Sequence, residues 1–330
     1  MFEHERDKIY AVAKRNQCIL GASLCLLLIV WIAASFAIKI FFDMYSLEKV
    51  LGSSLYTFLI SDISQYAIAL PLALIVMHFV PTLRVKQMPM KFKHFIGFFC
   101  VSIPIMFLGN IIGVVMSSAI SGGGAEDRVS DLISSSDTLE TFVFVVILAP
   151  LVEEFLFRKQ LIDKLRVYGE KRAIVFSALA FALFHTNLFQ FFYAFGLGLV
   201  FGYMYMRTSR LRYTIFLHMI INFQGSIVAM WLEKQLVDAS GNMIDVEKMS
   251  RQELASLPTG FILAGIYGMF MIAMLIVGVV LLIRCRKYLV FFESPKELSK
   301  KDGIRTLYGN IGVIAFLAIT VFMSVVSVLL

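Results

Sequence analysis

Charge is what this sequence has least of. Only 16 % of its 330 residues are Asp, Glu, Lys or Arg, 59 % are hydrophobic, and the mean hydropathy is +0.82. Those values exclude an ordinary soluble domain and point to a polytopic membrane protein. Cysteine is nearly as scarce. Cys18, Cys25, Cys100 and Cys285 lie in or beside apolar runs with no close-paired spacing, which excludes a disulfide framework or a zinc knuckle and leaves them as small apolar fillers. There is no internal repeat, no HExxH and no GxGxxG; the GLGLVFG run at 196–202 has the wrong spacing for a nucleotide loop. The net charge of +7 comes in short basic clusters between apolar segments, which is what membrane orientation produces and which excludes nucleic acid as a partner. The first 16 residues mix acids and bases, and the apolar run after them is too long for a signal-peptide core, so it reads as a first membrane anchor.

What is present is apolar segments of spanning length. At about 20 residues per span, nine helices are expected, near 17–42, 54–81, 94–119, 138–162, 172–188, 189–207, 212–232, 260–284 and 307–329, with the fifth and sixth forming a tight hairpin or a partly re-entrant pair. Lys and Arg sort strictly between alternate connections: 24 fall in one set and five (Lys49, Arg128, Lys234, Lys248, Arg251) in the other, with Lys39 near a helix end. The positive-inside rule then places the amino terminus in the cytoplasm and the carboxyl terminus outside, in a multi-pass protein of the plasma membrane. The loops 120–137 and 233–258 become external, and the basic segment 285–306 lies against anionic headgroups. Gly198 and Gly202 form a small-xxx-small face for close helix approach. The expected architecture is an all-α bundle of about nine transmembrane helices with a buried polar cavity. Three parts divide it: 1–137 with about three helices, a four-helix core over 138–232, and 233–330 with an external loop and about two helices.

One stretch breaks the apolar pattern, FVFVVILAPLVEEFLFR at 142–158. A charged side chain in a bilayer costs at least about 2.5–3.5 kcal/mol on insertion scales, so adjacent Glu153 and Glu154 need a reason. On a helix Glu154 and Arg158 stand at i and i+4 and can pair, while Glu153 points about 100° away and stays free for chemistry. Pro150 predicts a kink or local opening just before the acids. Two further stretches carry His185 (FSALAFALFH) and, one turn apart on one face, His218 and Asn222 (HMIIN). Taken singly, each has a structural reading: a juxtamembrane salt bridge, a satisfied core histidine, interhelical glue. Together they offer two chemistries. Either a glutamate activates water with help from His185 while His218 and Asn222 hold an oxyanion, or Glu153, His185 and His218 bind Zn²⁺ and its water. His78 and His94 sit near span ends, and Asp62 in LISDISQ could mark the outer end of the second span.

EEFLFR at 153–158, FALFH at 181–185 and HMIIN at 218–222 fit, in order, EExxxR, FxxxH and HxxxN. In this the chain resembles the CPBP family of intramembrane endopeptidases, which includes type II CAAX prenyl proteases and the Abi and bacteriocin self-immunity proteins. The resemblance covers about 140–225. It implies peptide or lipidated-protein substrates and a cavity open toward the cytoplasm. Glu153 would activate water, Glu154 and Arg158 would support it, His185 would assist, and His218 with Asn222 would stabilise the oxyanion, with or without a metal. A proton-coupled transporter and a non-catalytic immunity or scaffold protein are the competing classes. One tension stands in this reading: counted from the cytoplasmic helix ends at about 1.5 Å per residue, Glu153 lies about 15 Å deep, His218 about 9 Å and His185 about 20 Å.

Overall fold

A computed structural model describes residues 2–237, 244 and 257–329. Much of the expected external loop 233–258, with Lys248 and Arg251, lies outside them. In chain order the helices are α1 (Phe2–Met44), α2 (Leu47–Leu51), α3 (Ser53–Met77), α4 (Phe92–Ser121), α5 (Arg128–Ser135), α6 (138–165), α7 (Glu170–Phe184), α8 (Leu188–Thr208), α9 (Leu211–Leu236), α10 (Thr259–Cys285), α11 (Lys300–Tyr308) and α12 (Ile311–Leu329). The fold is all-helical, with no β-sheet among the described residues.

Seven of these helices, α1, α3, α4, α8, α9, α10 and α12, are long and apolar enough to cross a membrane. The other two of the nine expected segments are helical but fall short for physical reasons. Rod α6 carries Glu153, Glu154 and Arg158 within its apolar stretch. Helix α7 has 15 residues, about 22 Å at 1.5 Å per residue, against a hydrocarbon core of about 30 Å. The surface of α10 is apolar nearly all round, with Ile262, Leu263, Ile266, Met269, Phe270 and Ile276 exposed, as expected of a helix whose outer face meets lipid rather than water.

Helix α8 packs between α4 and α7, α1 lies along α12 and α3, and α10 leans on α4 from outside. Close approach is set by glycine. A Cβ on Gly198 would sit 2.8 Å from the Cα of Ala178 in α7, and one on Gly202 3.1 Å from Ile174 Cγ2. The small-residue face of α8 is therefore turned to α7, the helix that ends in His185. Gly198→Leu is expected to push the two helices apart and lower stability by about 1–3 kcal/mol, measured as a fall in the unfolding midpoint of the detergent-solubilised protein.

The basic connections gather at one end of the bundle. Leu83 N–H donates to Asp163 O (2.9 Å), Met88 N–H to Thr208 O (2.9 Å) and Lys296 N–H to Val167 O (3.0 Å). Segment 286–299 is thereby a strap on the protein rather than a strip lying free on headgroups. Arg172 donates to Leu298 O (2.9 Å), Phe292 N–H donates to Glu170 (2.9 Å), and Arg207 pairs with Glu170 while stacking on Phe292. The signal for this was nonlocal, since each of the strap's partners, Val167, Glu170, Arg172 and Arg207, lies more than 80 residues away in the chain. In the same layer the Lys164 Nζ donates to Val80 O and Thr82 Oγ1 at 2.9 Å each.

Candidate active site

The polar groups converge where α6, α7, α8 and α9 meet. Rod α6 is not a uniform α-helix. Residues Phe142–Leu148 and Phe155–Ile162 form wider turns in which the amide bonds five residues back, and Ala149 N–H reaches Phe144 O. Continuing that pattern, Val145 O would need the amide hydrogen of residue 150, which is proline and has none. Asn222 Nδ2 fills the vacancy, donating to Val145 O at 2.9 Å. The opening expected from Pro150 is real, and a site residue closes it.

Glu154 and Arg158 pair as the i, i+4 spacing predicts, with both side chains at 0 % exposure. Arg158 Nε donates to Glu154 Oε2 (2.9 Å), Nη2 to Oε1 (3.4 Å) and Nη1 to Ser177 Oγ (2.9 Å), and Ser177 Oγ donates to Phe157 O (2.7 Å). The guanidinium also lies over the rings of Phe181 (5.0 Å) and Phe201 (5.7 Å), so a buried cation is matched on every side. Sequence reading missed Ser177, yet a signal was there: Ser177, Phe181 and His185 recur every fourth residue, which makes one face of α7.

His218 sits between the two glutamates. Its Nδ1 is 3.2 Å from Glu154 Oε1 and its Nε2 3.7 Å from Glu153 Oε2. A carboxylate held by arginine can only accept, so Nδ1 donates and Nε2 is turned toward Glu153. Glu153 is 18 % exposed on its side chain and faces a cavity of about 770 Å³ that His185, His218 and Asn222 also line. His185 ends α7 beside the left-handed Thr186 (φ 47°), and its Nδ1 donates to Phe181 O at 2.8 Å. The carbonyl accepts that hydrogen bond, so in the neutral ring His185 Nε2 is the acceptor.

The wide turns narrow the depth mismatch for Glu153. They hold more residues per unit length than an α-helix, so 155–162 rises less per residue and Glu153 sits nearer the basic end than counting suggests. Periodicity in sequence does not report such turns.

One expectation changes. Asp62 is no outer marker: with Gln65 and Tyr66, from a wide-turned stretch of α3, and with Asn110, Gln190 and Tyr193, it lines the cavity. Among the described residues no group of three or more His, Cys, Asp or Glu side chains stands ready to hold a metal ion. The cavity runs from Phe157 and His218, in the basic halves of α6 and α9, to Asn110 late in α4 and Gln190 and Tyr193 early in α8.

Asn222→Ala is expected to leave Val145 O without its donor and to destabilise the protein by about 1 kcal/mol, with loss of any activity exceeding that loss of stability. A chemical-denaturant midpoint read beside turnover separates the two effects.

Residues 135–224 match a family described as Rce1-like, type II CAAX prenyl endopeptidase. The three motifs lie within that segment, so the resemblance read from them is the family found. Among curated proteins, the membrane-embedded CAAX protease MroQ of Staphylococcus aureus (strain USA300) is 30 % identical over 126 residues, which is 36 % of this chain and 51 % of that protein. The chain spans about half the length of the curated relative it matches. No solved structure matches.

Proposed function

We propose that this chain, carrying the type II CAAX prenyl endopeptidase core over 135–224, is an intramembrane endopeptidase of the glutamic kind. The observation that carries the reading is the placement of Glu153, His185, His218 and Asn222 around one cavity, with the second glutamate neutralised beneath it. Glu153 takes a proton from a water that attacks the peptide carbonyl, and His185 Nε2, a free acceptor, orients that water. The developing oxyanion is met by the His218 ring, oriented by the bond between Nδ1 and Glu154, and by the Asn222 N–H not used on Val145. Glu153 then returns its proton to the leaving amine. Glu154 and Arg158 touch no reacting atom and act by positioning His218 and the α6 backbone.

In this reading α6 and α7 complete a nine-span bundle, shielded from lipid by the seven apolar helices, with 1–137 and 233–330 flanking the catalytic core at 138–232. The amino terminus is cytoplasmic, by the charge rule. The substrate is a peptide or lipidated protein held in the bilayer. The family core and the curated relative, named a CAAX protease, support this class. The reading is tested by incubating the reconstituted protein with membrane-anchored peptides and identifying new termini by mass spectrometry. Discrete cleavage sites are expected, and intact peptides at every protein concentration would refute it.

A further inference from the structure

We propose that Asp62 selects the substrate by receiving a positively charged side chain, lysine or arginine, close to the bond that is cut. This rests on the endopeptidase reading and adds a substrate class to it.

Asp62 is the carboxylate of the site that no cation balances. Glu153 serves the water, and Arg158 neutralises Glu154. Asp62 lines the same cavity, yet among the described residues it makes no hydrogen bond and no ion pair, and no Lys or Arg is part of the lining. An ionisable group within a membrane bundle is costly alone and marks a functional contact by default. A cation carried by the substrate supplies the balance. The surroundings suit one: the Tyr66 hydroxyl, also in the lining, has no hydrogen-bond partner among the described residues, and Trp31 and Phe58 bring aromatic rings to the same cavity. A carboxylate among aromatic rings is the chemistry that holds an ammonium or a guanidinium.

Register puts Asp62 within reach of the reacting bond. Helices α3 and α6 lie side by side and parallel: Ser54 Oγ donates to Glu140, and one turn on the ring of Phe58 stacks on that of Phe144 at 5.2 Å. Each helix then passes through one stretch of wide turn, Ile63–Ala69 and Phe142–Leu148, so neither outruns the other. Continuing the step brings Tyr66 level with Val152 and Glu153. Asp62 lies about one turn nearer the start of both helices, roughly 5–7 Å along the axis at about 1.5 Å per residue. An extended peptide advances about 3.3–3.6 Å per residue. A side chain about two residues from the carbonyl attacked at Glu153 therefore falls at the level of Asp62.

The test uses the full chain reconstituted in vesicles, with membrane-anchored peptides in which one lysine, arginine, norleucine or glutamate is moved through the residues flanking the cleaved bond. At a position about two residues from that bond, lysine or arginine is expected to raise kcat/KM over norleucine by about 10–100-fold, the range for a hydrogen bond to a charged group. Asp62→Asn should bring the lysine-to-norleucine ratio close to 1, Asp62→Glu should keep it well above 1, and Asp62→Lys should favour glutamate. No gain from a cation at any position would overturn the proposal, and that result needs only the unaltered chain, so it holds even where a variant fails to fold. An Asp62→Asn loss falling equally on every peptide would overturn it too, by placing Asp62 in the proton chemistry or the packing. Anisotropy of the labelled peptides on the Glu153→Gln protein reads recognition without cleavage. A preference for lysine in binding that Asp62→Asn removes, in a chain that cuts nothing, would end the endopeptidase reading and leave Asp62 as the recognition group. Cleavage indifferent to a cation would end this inference alone.

Discussion

Glu153→Gln is expected to lower peptide-bond hydrolysis by about 10²–10⁴-fold, the range for losing a general base, while the protein folds and unfolds as before. The amide keeps the volume and the approach to His218, whose Nε2 lies 3.7 Å from Glu153 Oε2, but it cannot accept a proton from water. Glu153 makes no part of the buried ion pair, so its charge can be removed without stranding another. Glu154→Gln is a different experiment: it unbalances Arg158 and frees His218 Nδ1, and should lower stability as well as rate. Initial rates on one cleavable peptide, read beside unfolding midpoints, distinguish the two. A Glu153→Gln protein with wild-type turnover would remove Glu153 from the chemistry.

Arg158→Leu carries the largest expected effect on stability. Glu154 and Arg158 are both at 0 % side-chain exposure, and removing one partner of such a pair costs about 3–5 kcal/mol because an uncompensated charge stays behind. The same replacement strips Ser177 of its acceptor role and takes the cation from between Phe181 and Phe201. Combining it with Glu154→Gln removes both charges and is expected to recover much of the lost stability without recovering activity, since His218 would still lack its anionic partner. Unfolding midpoints of the single and double variants in one detergent measure this. A double variant no more stable than Arg158→Leu would show that the pair matters through packing rather than charge.

Much of this site could be read before any coordinates, because its strongest contact is local. The Glu154 and Arg158 pair is one helical turn, His218 and Asn222 are another, and the hairpin that presents His185 follows from two short apolar runs separated by His-Thr-Asn. What stayed hidden was of two kinds. Wide turns in α3, α6 and α9 carry the same apolar residues as α-helix, so composition cannot report them, and with them went the true depth of Glu153 and the tie between Asn222 and Val145. Partners across helices were the second kind: Asp62 facing the cavity from α3, Ser177 meeting Arg158, and the strap at 286–299 bound to the turn before α7. By length and apolarity alone α6 and α7 stand apart from the seven other long helices. The charge and brevity that disqualify them as lipid-facing helices are what a protein-lined catalytic interior requires.

The central claim is that Glu153 and His218 work as one unit on one water. A double-mutant cycle on kcat/KM tests it most directly, with Glu153→Gln, His218→Ala and the pair combined. The account predicts that the combined variant falls to the same residual rate as either single change, as for residues that act together. Losses that simply multiply would contradict it and place the two side chains in separate roles.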